Sequence, residues 1–216
     1  MNQDFPAPSP LDALDDVASY YTDKLTRFGP TARGVDWNGE AGQALRFTQL
    51  HKLIVGSEPC SVTDLGCGYG AFYDFLRTQT PPVSYVGIDV SAEMTAAAKA
   101  RFVDDPKARF LVGSRPDQET DYCVASGIFN VRLGRADADW RAHLERTLDV
   151  MNAASRLGFA FNCLTAYSDP ERKRDDLFYA DPCELFDLCK RRYSRQVALL
   201  HDYGLYEFTM LVRKPS

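Results

Sequence analysis

Asp64-Leu65-Gly66-Cys67-Gly68-Tyr69-Gly70 sets three glycines at alternate positions directly behind an acid. The run ahead of it, Ser61-Val62-Thr63, is β-prone, and Ala71 to Thr78 behind it reads as a helix. A strand, a tight glycine turn and a helix N-terminus bring bare backbone against a ligand. Gly66, Gly68 and Ala71 satisfy the GxGxxG/A spacing of dinucleotide sites. Asp64 argues for a different ligand, because a carboxylate aimed into the turn repels a pyrophosphate and suits an ammonium group.

A second acid extends the reading. Val83 to Val90 is a β-branched run that ends in Asp89. In nucleotide-binding α/β units an acid at the end of the second strand takes the two ribose hydroxyls in charge-assisted hydrogen bonds. Asp89 can also simply open the turn before a helix that Ser91 caps.

The rest of the chain continues the alternation: a helix over 92–102, strands over 108–112 and 122–126, a long helix carrying Trp140, Leu144, Leu148 and Met151, and a strand over 158–164. Ahead of the glycine turn, Ser9-Pro10 opens an amphipathic helix that Gly29-Pro30 ends, and a second helix runs over 40–55. Asp181-Pro182-Cys183-Glu184 starts a helix with cap, proline and a glutamate placed to reach back. The final strands, 196–201 and 206–213, are joined only by Asp202-Tyr203-Gly204-Leu205, too short for a crossover helix, so they form an antiparallel hairpin.

The acid-x-Gly-x-Gly-x-Gly turn and the acid that ends the next strand resemble the first two motifs of class I S-adenosylmethionine-dependent methyltransferases. The resemblance implies S-adenosylmethionine as cofactor. It also implies an α/β fold with a Rossmann-like, mostly parallel seven-stranded sheet, helices on both faces and a C-terminal antiparallel hairpin. An NAD domain more often continues with another parallel unit. The implied organisation is a helical cap or lid over 1–58 and a methyltransferase domain over 59–216. A lid insertion falls at about 165–181, and the whole forms one unit.

The cofactor contacts the resemblance implies are Asp64, Leu65, Gly66, Cys67 and Gly68 in the turn, Asp89 and Val90 at the second strand end, and Met94 against the adenine ring. Ser114 stands where the family commonly places an acid near the adenine amino group, and its hydroxyl can make one hydrogen bond. Ser126 and Gly127, in a stretch that looks like the fourth motif, line the point of methyl transfer. Arg46 is the basic residue expected beside the cofactor's carboxylate. Phe129 and Asn130 lie just beyond the transfer point; with Tyr21, Trp37 and Tyr179 they make an aromatic, partly polar substrate set. Asn130 can equally cap a turn, and the aromatics can equally pack the added helices.

No histidine among His51, His143 and His201 stands in a recognisable base position, so no catalytic base is assigned. The catechol-type branch of the family places metal-binding acids at the exits of the fourth and fifth strands. Here Ser126-Gly127 and Cys163-Leu164 occupy those places, so the expected transfer is metal-independent, by in-line displacement.

At 216 residues the chain is long enough for one domain with a full core. A net charge of −5 offers nothing to a nucleic acid or an anionic membrane. Met1 to Pro10 has no basic and apolar signal pattern and no apolar run reaches membrane-spanning length, so the expected location is cytoplasmic. Six cysteines without a C-x-x-C pair read as reduced and structural. The leading expectation is therefore methyl transfer to a small-molecule acceptor. Protein or nucleic-acid methylation, a non-catalytic S-adenosylmethionine-binding module and a dehydrogenase are the rival readings. The Asn/Asp-Pro-Pro-Tyr/Phe signature of base amino-methylation is absent at the fourth motif.

Overall fold

The computed structural model describes residues 14–79 and 82–215. Seven strands form one sheet: β1 (Cys60–Leu65), β2 (Val83–Asp89), β3 (Ala108–Val112), β4 (Thr120–Ala125), β5 (Ser155–Leu164), β6 (Gln196–Leu200) and β7 (Glu207–Arg213). Their order across the sheet is β3-β2-β1-β4-β5-β7-β6. The first five run parallel; β7 lies antiparallel between β5 and β6, as the short final link requires. Between β1 and β4 the chain reverses the direction in which it adds strands, which opens a crevice at the strand C-termini.

Among the described residues six α-helices cover the sheet: α1 (Asp15–Phe28), α2 (Glu40–His51), α3 (Ala71–Leu76), α4 (Ala92–Arg101), α5 (Asp137–Ala153) and α6 (Pro182–Arg192). Side chains alternate between the two faces of a strand, so two cores form. On one face Val62, Tyr85, Val124 and Leu211 pack with Phe47 and Leu50 of α2, Phe72 and Tyr73 of α3, and Ala98 of α4. On the other, Leu65, Ile88, Ala125, Phe161 and Met210 pack with Val17 of α1, Trp140 and Leu144 of α5, and Leu185 of α6.

Local signals act as their chemistry dictates. The Ser91 hydroxyl accepts the Met94 amide at 3.1 Å and starts α4. Asp181 accepts the amides of Cys183 and Glu184 and starts α6. Glu184 does not reach back to close a capping box; its carboxylate pairs with Arg141 on α5 instead. Helix α2 stops at His51 and Lys52 and Leu53 continue as a turn, short of the expected 55. Gly29 ends α1, its amide donating to the Leu25 carbonyl, whereas the helix start expected at Ser9-Pro10 lies outside the described residues. Among the described residues no helix is long and apolar enough to cross a membrane. The six cysteines are free thiols.

Candidate functional site

The glycine turn folds back over β2: the amides of Gly66 and Cys67 both donate to the Ile88 carbonyl, at 2.7 and 3.1 Å. Gly66 has φ +78°, and a Cβ there would stand 2.1 Å from Ile128 Cγ2, so no side chain fits. The Gly68 amide donates to Asp89 Oδ2 at 2.8 Å, and the Ser91 amide donates to Oδ1 at 2.9 Å. Asp89 is thus both the start of the α4 turn and the strut of the glycine turn. Burial pushes its carboxyl above the usual range, against the amides of Ser91 and Gly68.

A cavity of about 1090 Å³, its open mouth included, fills the crevice. It gathers the ends of four neighbouring strands: Leu65, Gly66 and Gly68 after β1, Asp89, Val90 and Met94 after β2, Gly113 and Ser114 after β3, and Ser126 and Gly127 after β4. Tyr21, Val35 and Trp37 close it from the N-terminal segment, and Trp140 and His143 of α5 form its far wall. Most of the expected cofactor residues are brought together here.

Three are not on this wall. Asp64 lies one position from Leu65 and therefore faces the opposite side of the sheet. There its Oδ2 accepts the Tyr85 hydroxyl at 2.5 Å, while Oδ1 is buried without a partner. Desolvation pushes its carboxyl up to about 7, opposed by the Tyr85 hydrogen bond. The carboxylate sits behind the turn rather than inside it. Cys67 turns into the same core, its sulfur 2.8 Å from where a Cβ on Gly87 would stand. Arg46 is already engaged: its Nε and Nη2 donate to the two oxygens of Glu207 at 2.7 and 2.5 Å, and its guanidinium stacks 3.8 Å over Trp37.

A second cavity adjoins the first and shares Tyr21, Val35 and Trp37 with it. Its remaining wall includes Asp36, Arg46, Asn130, Ser168, Arg172, Arg174, Tyr179, Tyr206 and Glu207. Trp37 stands between the two spaces, its ring 2.5 Å from where a Cβ on Gly127 would project. Gly127 has to be a glycine for that approach. Of the expected substrate set, Tyr21, Trp37, Asn130 and Tyr179 line this space. Phe129 does not: it is fully buried, edge-on to Phe161, and its carbonyl accepts the Trp140 indole N–H at 2.7 Å. Asn130 is also a tie between strands rather than a turn cap, since its Oδ1 accepts the amide of Leu164 at the end of β5. His201 is exposed and lines neither cavity.

Two positions that brace the site escape the sequence reading. Asn162, fully buried in β5, accepts the Gly127 amide at 2.7 Å and holds the β4 exit in place. The signal was a polar residue inside the apolar run Phe159 to Leu164. Glu207, 2% exposed at the start of β7, anchors Arg46. Among the described residues no group of three or more His, Cys, Asp or Glu side chains is placed to hold a metal ion.

Residues 63–157 match a family model described as a methyltransferase domain. The protein "Putative methyltransferase Rv1506c" of Mycobacterium tuberculosis (strain ATCC 25618 / H37Rv) is 61% identical over 165 residues, covering 76% of this chain and 99% of that one. A trans-aconitate 2-methyltransferase of Rhodopseudomonas palustris (strain BisB5) is 28% identical over 106 residues, which is 44% of this chain and 40% of that one. Among solved structures, the magnesium protoporphyrin IX methyltransferase ChlM of Synechocystis PCC 6803, with bound SAH, superposes with a TM-score of 0.66 at 10% identity, over 93% of this chain and 97% of that one. The DhpI–SAH complex gives 0.63 at 17% identity, over 96% and 98%.

Proposed function

The chain belongs to the class I S-adenosylmethionine-dependent methyltransferases, and from that membership we propose that it transfers a methyl group to a small-molecule acceptor by in-line displacement, without a metal ion. The observation that carries the reading is the first cavity, where four adjacent strand ends deliver a glycine turn, a buried acid and a glycine at the β4 exit to one space.

The residues fit the cofactor. The bare turn at Gly66 and Gly68 lets a ligand approach the backbone. Asp89 reaches the cavity wall with each oxygen holding one amide, and a carboxylate oxygen has a further lone pair for a ribose hydroxyl. Met94 and Val90 offer an apolar seat for the adenine, and Ser114 a single polar contact. The buried Oδ1 of Asp64 beneath the turn lacks a donor, and a cationic ligand end above it would ease that charge through space. Bound here, the cofactor supplies an activated methyl on a sulfonium. The protein has to orient the acceptor against it and exclude water. Ser126, Gly127 and Trp37 border that point, and Tyr21, Val35 and Trp37 close the space above it. The part of the chain up to residue 58 and the link at about 165–181 act in this reading as the lid over one catalytic unit.

Isothermal calorimetry with S-adenosylmethionine and with NAD tests the cofactor. Binding of the first and not the second is expected, and Asp89→Ala is expected to weaken it about 10- to 100-fold, as for hydrogen bonds to a charged group. Equal binding of NAD, or an unchanged affinity in Asp89→Ala, would overturn the assignment. Transfer of tritiated methyl to the small-molecule, protein and nucleic-acid fractions of a cell extract tests the acceptor, and label in the small-molecule fraction is expected.

A further inference from the structure

Resting on methyl transfer at the first cavity, we infer that the acceptor is a small organic acid held in the second cavity and methylated on a carboxylate oxygen, with Arg172 as its anchor. The wall of that cavity carries three arginines, Arg46, Arg172 and Arg174, against two acids, Asp36 and Glu207. Both acids are already satisfied. Glu207 gives its two oxygens to Arg46. Asp36 accepts the Tyr20 hydroxyl at 2.7 Å and the Lys24 ammonium at 2.6 Å. No carboxylate is left to receive a cationic acceptor, although the wall is aromatic enough to suggest one.

The arginines differ in the same respect. Arg46 is taken by Glu207, and Arg174 donates Nε and Nη2 to Asp176. The Arg172 side chain is exposed and makes no hydrogen bond or ion pair among the described residues. A guanidinium offers two parallel donors that match a carboxylate. The apolar and aromatic faces of Tyr21, Trp37 and Leu177 leave room for the rest of such a molecule.

The same wall lacks a base. Among the described residues no histidine lines the second cavity and its acids are engaged, while burial raises the Tyr21 phenol far above its ordinary range. A hydroxyl acceptor would find no group on this wall to take its proton. An ammonium would have to lose one beside Arg172. A carboxylate oxygen needs neither. It gives a lone pair to the methyl carbon and forms an O–C bond while the S–C bond breaks, its electron pair staying on sulfur. The negative acid and the positive sulfonium become a neutral methyl ester and a thioether, and no proton moves.

The product's chemistry tests this. The purified protein is incubated with S-adenosylmethionine tritiated in the transferable methyl and the small-molecule fraction of a cell extract, then treated with alkali. A methyl ester releases its label as volatile methanol, whereas N-, C-, S- and ether-linked methyl groups keep it. Volatile label is expected. With the parent acid recovered from that reaction as substrate, Arg172→Gln is expected to raise KM about tenfold, with kcat within about twofold and cofactor affinity unchanged. Arg172→Lys is expected to recover part of the loss. Alkali-stable label would overturn the acid while leaving methyl transfer standing, and an unchanged KM in Arg172→Gln would overturn the anchor. Failure to bind S-adenosylmethionine, or to transfer methyl at all, would overturn the methyltransferase reading and this inference with it.

Discussion

At Asp64 a single step of strand alternation decides what a carboxylate can do. Leu65 faces the cavity, so Asp64 faces the core beneath α3 and α4, where Tyr85 meets it and water does not. Burial holds its carboxyl up at about 7, far above 3.8. Between about pH 4 and pH 7 the folded chain therefore keeps a proton that the unfolded chain has lost, and stability falls as pH rises through that window. Asp64→Asn keeps an acceptor for Tyr85 and removes the titration. At pH 4 the variant is expected to match the parent; at pH 8 it is expected to be more stable by roughly 2–4 kcal/mol, about three pKa units at most. Urea melts at both pH values measure this. The Asp89 charge helps to raise the Asp64 carboxyl, so part of the gap is a repulsion between the two acids that the variant also removes. A stability gap that does not change with pH would mean that burial is not what Asp64 contributes.

Between elements, the tie that shapes the second cavity runs from α2 to β7. Arg46 and Glu207 lie 161 positions apart in the chain and form a buried, two-point ion pair. Glu207→Leu strands a guanidinium and is expected to cost about 3–5 kcal/mol, whereas Arg46→Met with Glu207→Leu together is expected to cost much less than the sum of the singles. Denaturant melts of the four proteins in the cycle check it, and additive singles would show that the pair is not coupled. The tie also explains what the sequence could and could not convey. Strands, helices and the closing hairpin were legible because periodicity, caps and link lengths are local. The glycine turn and Asp89 were legible because a backbone turn and its strut lie within one βα unit. Arg46 was misassigned because its partner is long-range, and nothing near either residue marks the other. Phe129 was misassigned because an aromatic just past a strand end can turn either way, and here Phe161 and Trp140 draw it inward. Asp64 needed only parity: the β1 pattern that placed Leu65 in the crevice already placed its neighbour outside it.

For the molecule as a whole, the cofactor cavity is where the N-terminal segment meets the sheet. Helix α1 has one buried residue within its span, Val17, and Val17 and Tyr21 line the cavity together with Val35 and Trp37. A ligand there bridges two parts of the chain that the Thr22–Ser91 hydrogen bond and the Asp16–Arg135 ion pair already tie, so its binding energy adds to the stability of their contact. At a hundredfold excess over Kd a ligand selective for the folded state adds about 2.7 kcal/mol. For a domain of this size that corresponds to about 5–10 °C in Tm. S-adenosylmethionine is expected to produce that shift, and NAD at equal concentration none. The gain should not be uniform. Amide hydrogen exchange is expected to slow most in α1 and around Val35 to Asn38, since opening that segment would expose the ligand. In β5 and β7, buried among other strands in its absence, protection is expected to change little. Equal slowing everywhere would mean that the cofactor stabilises the sheet globally and that the N-terminal segment is no lid. No slowing in α1 despite a raised Tm would place the ligand outside the closed space between Tyr21, Trp37 and the glycine turn.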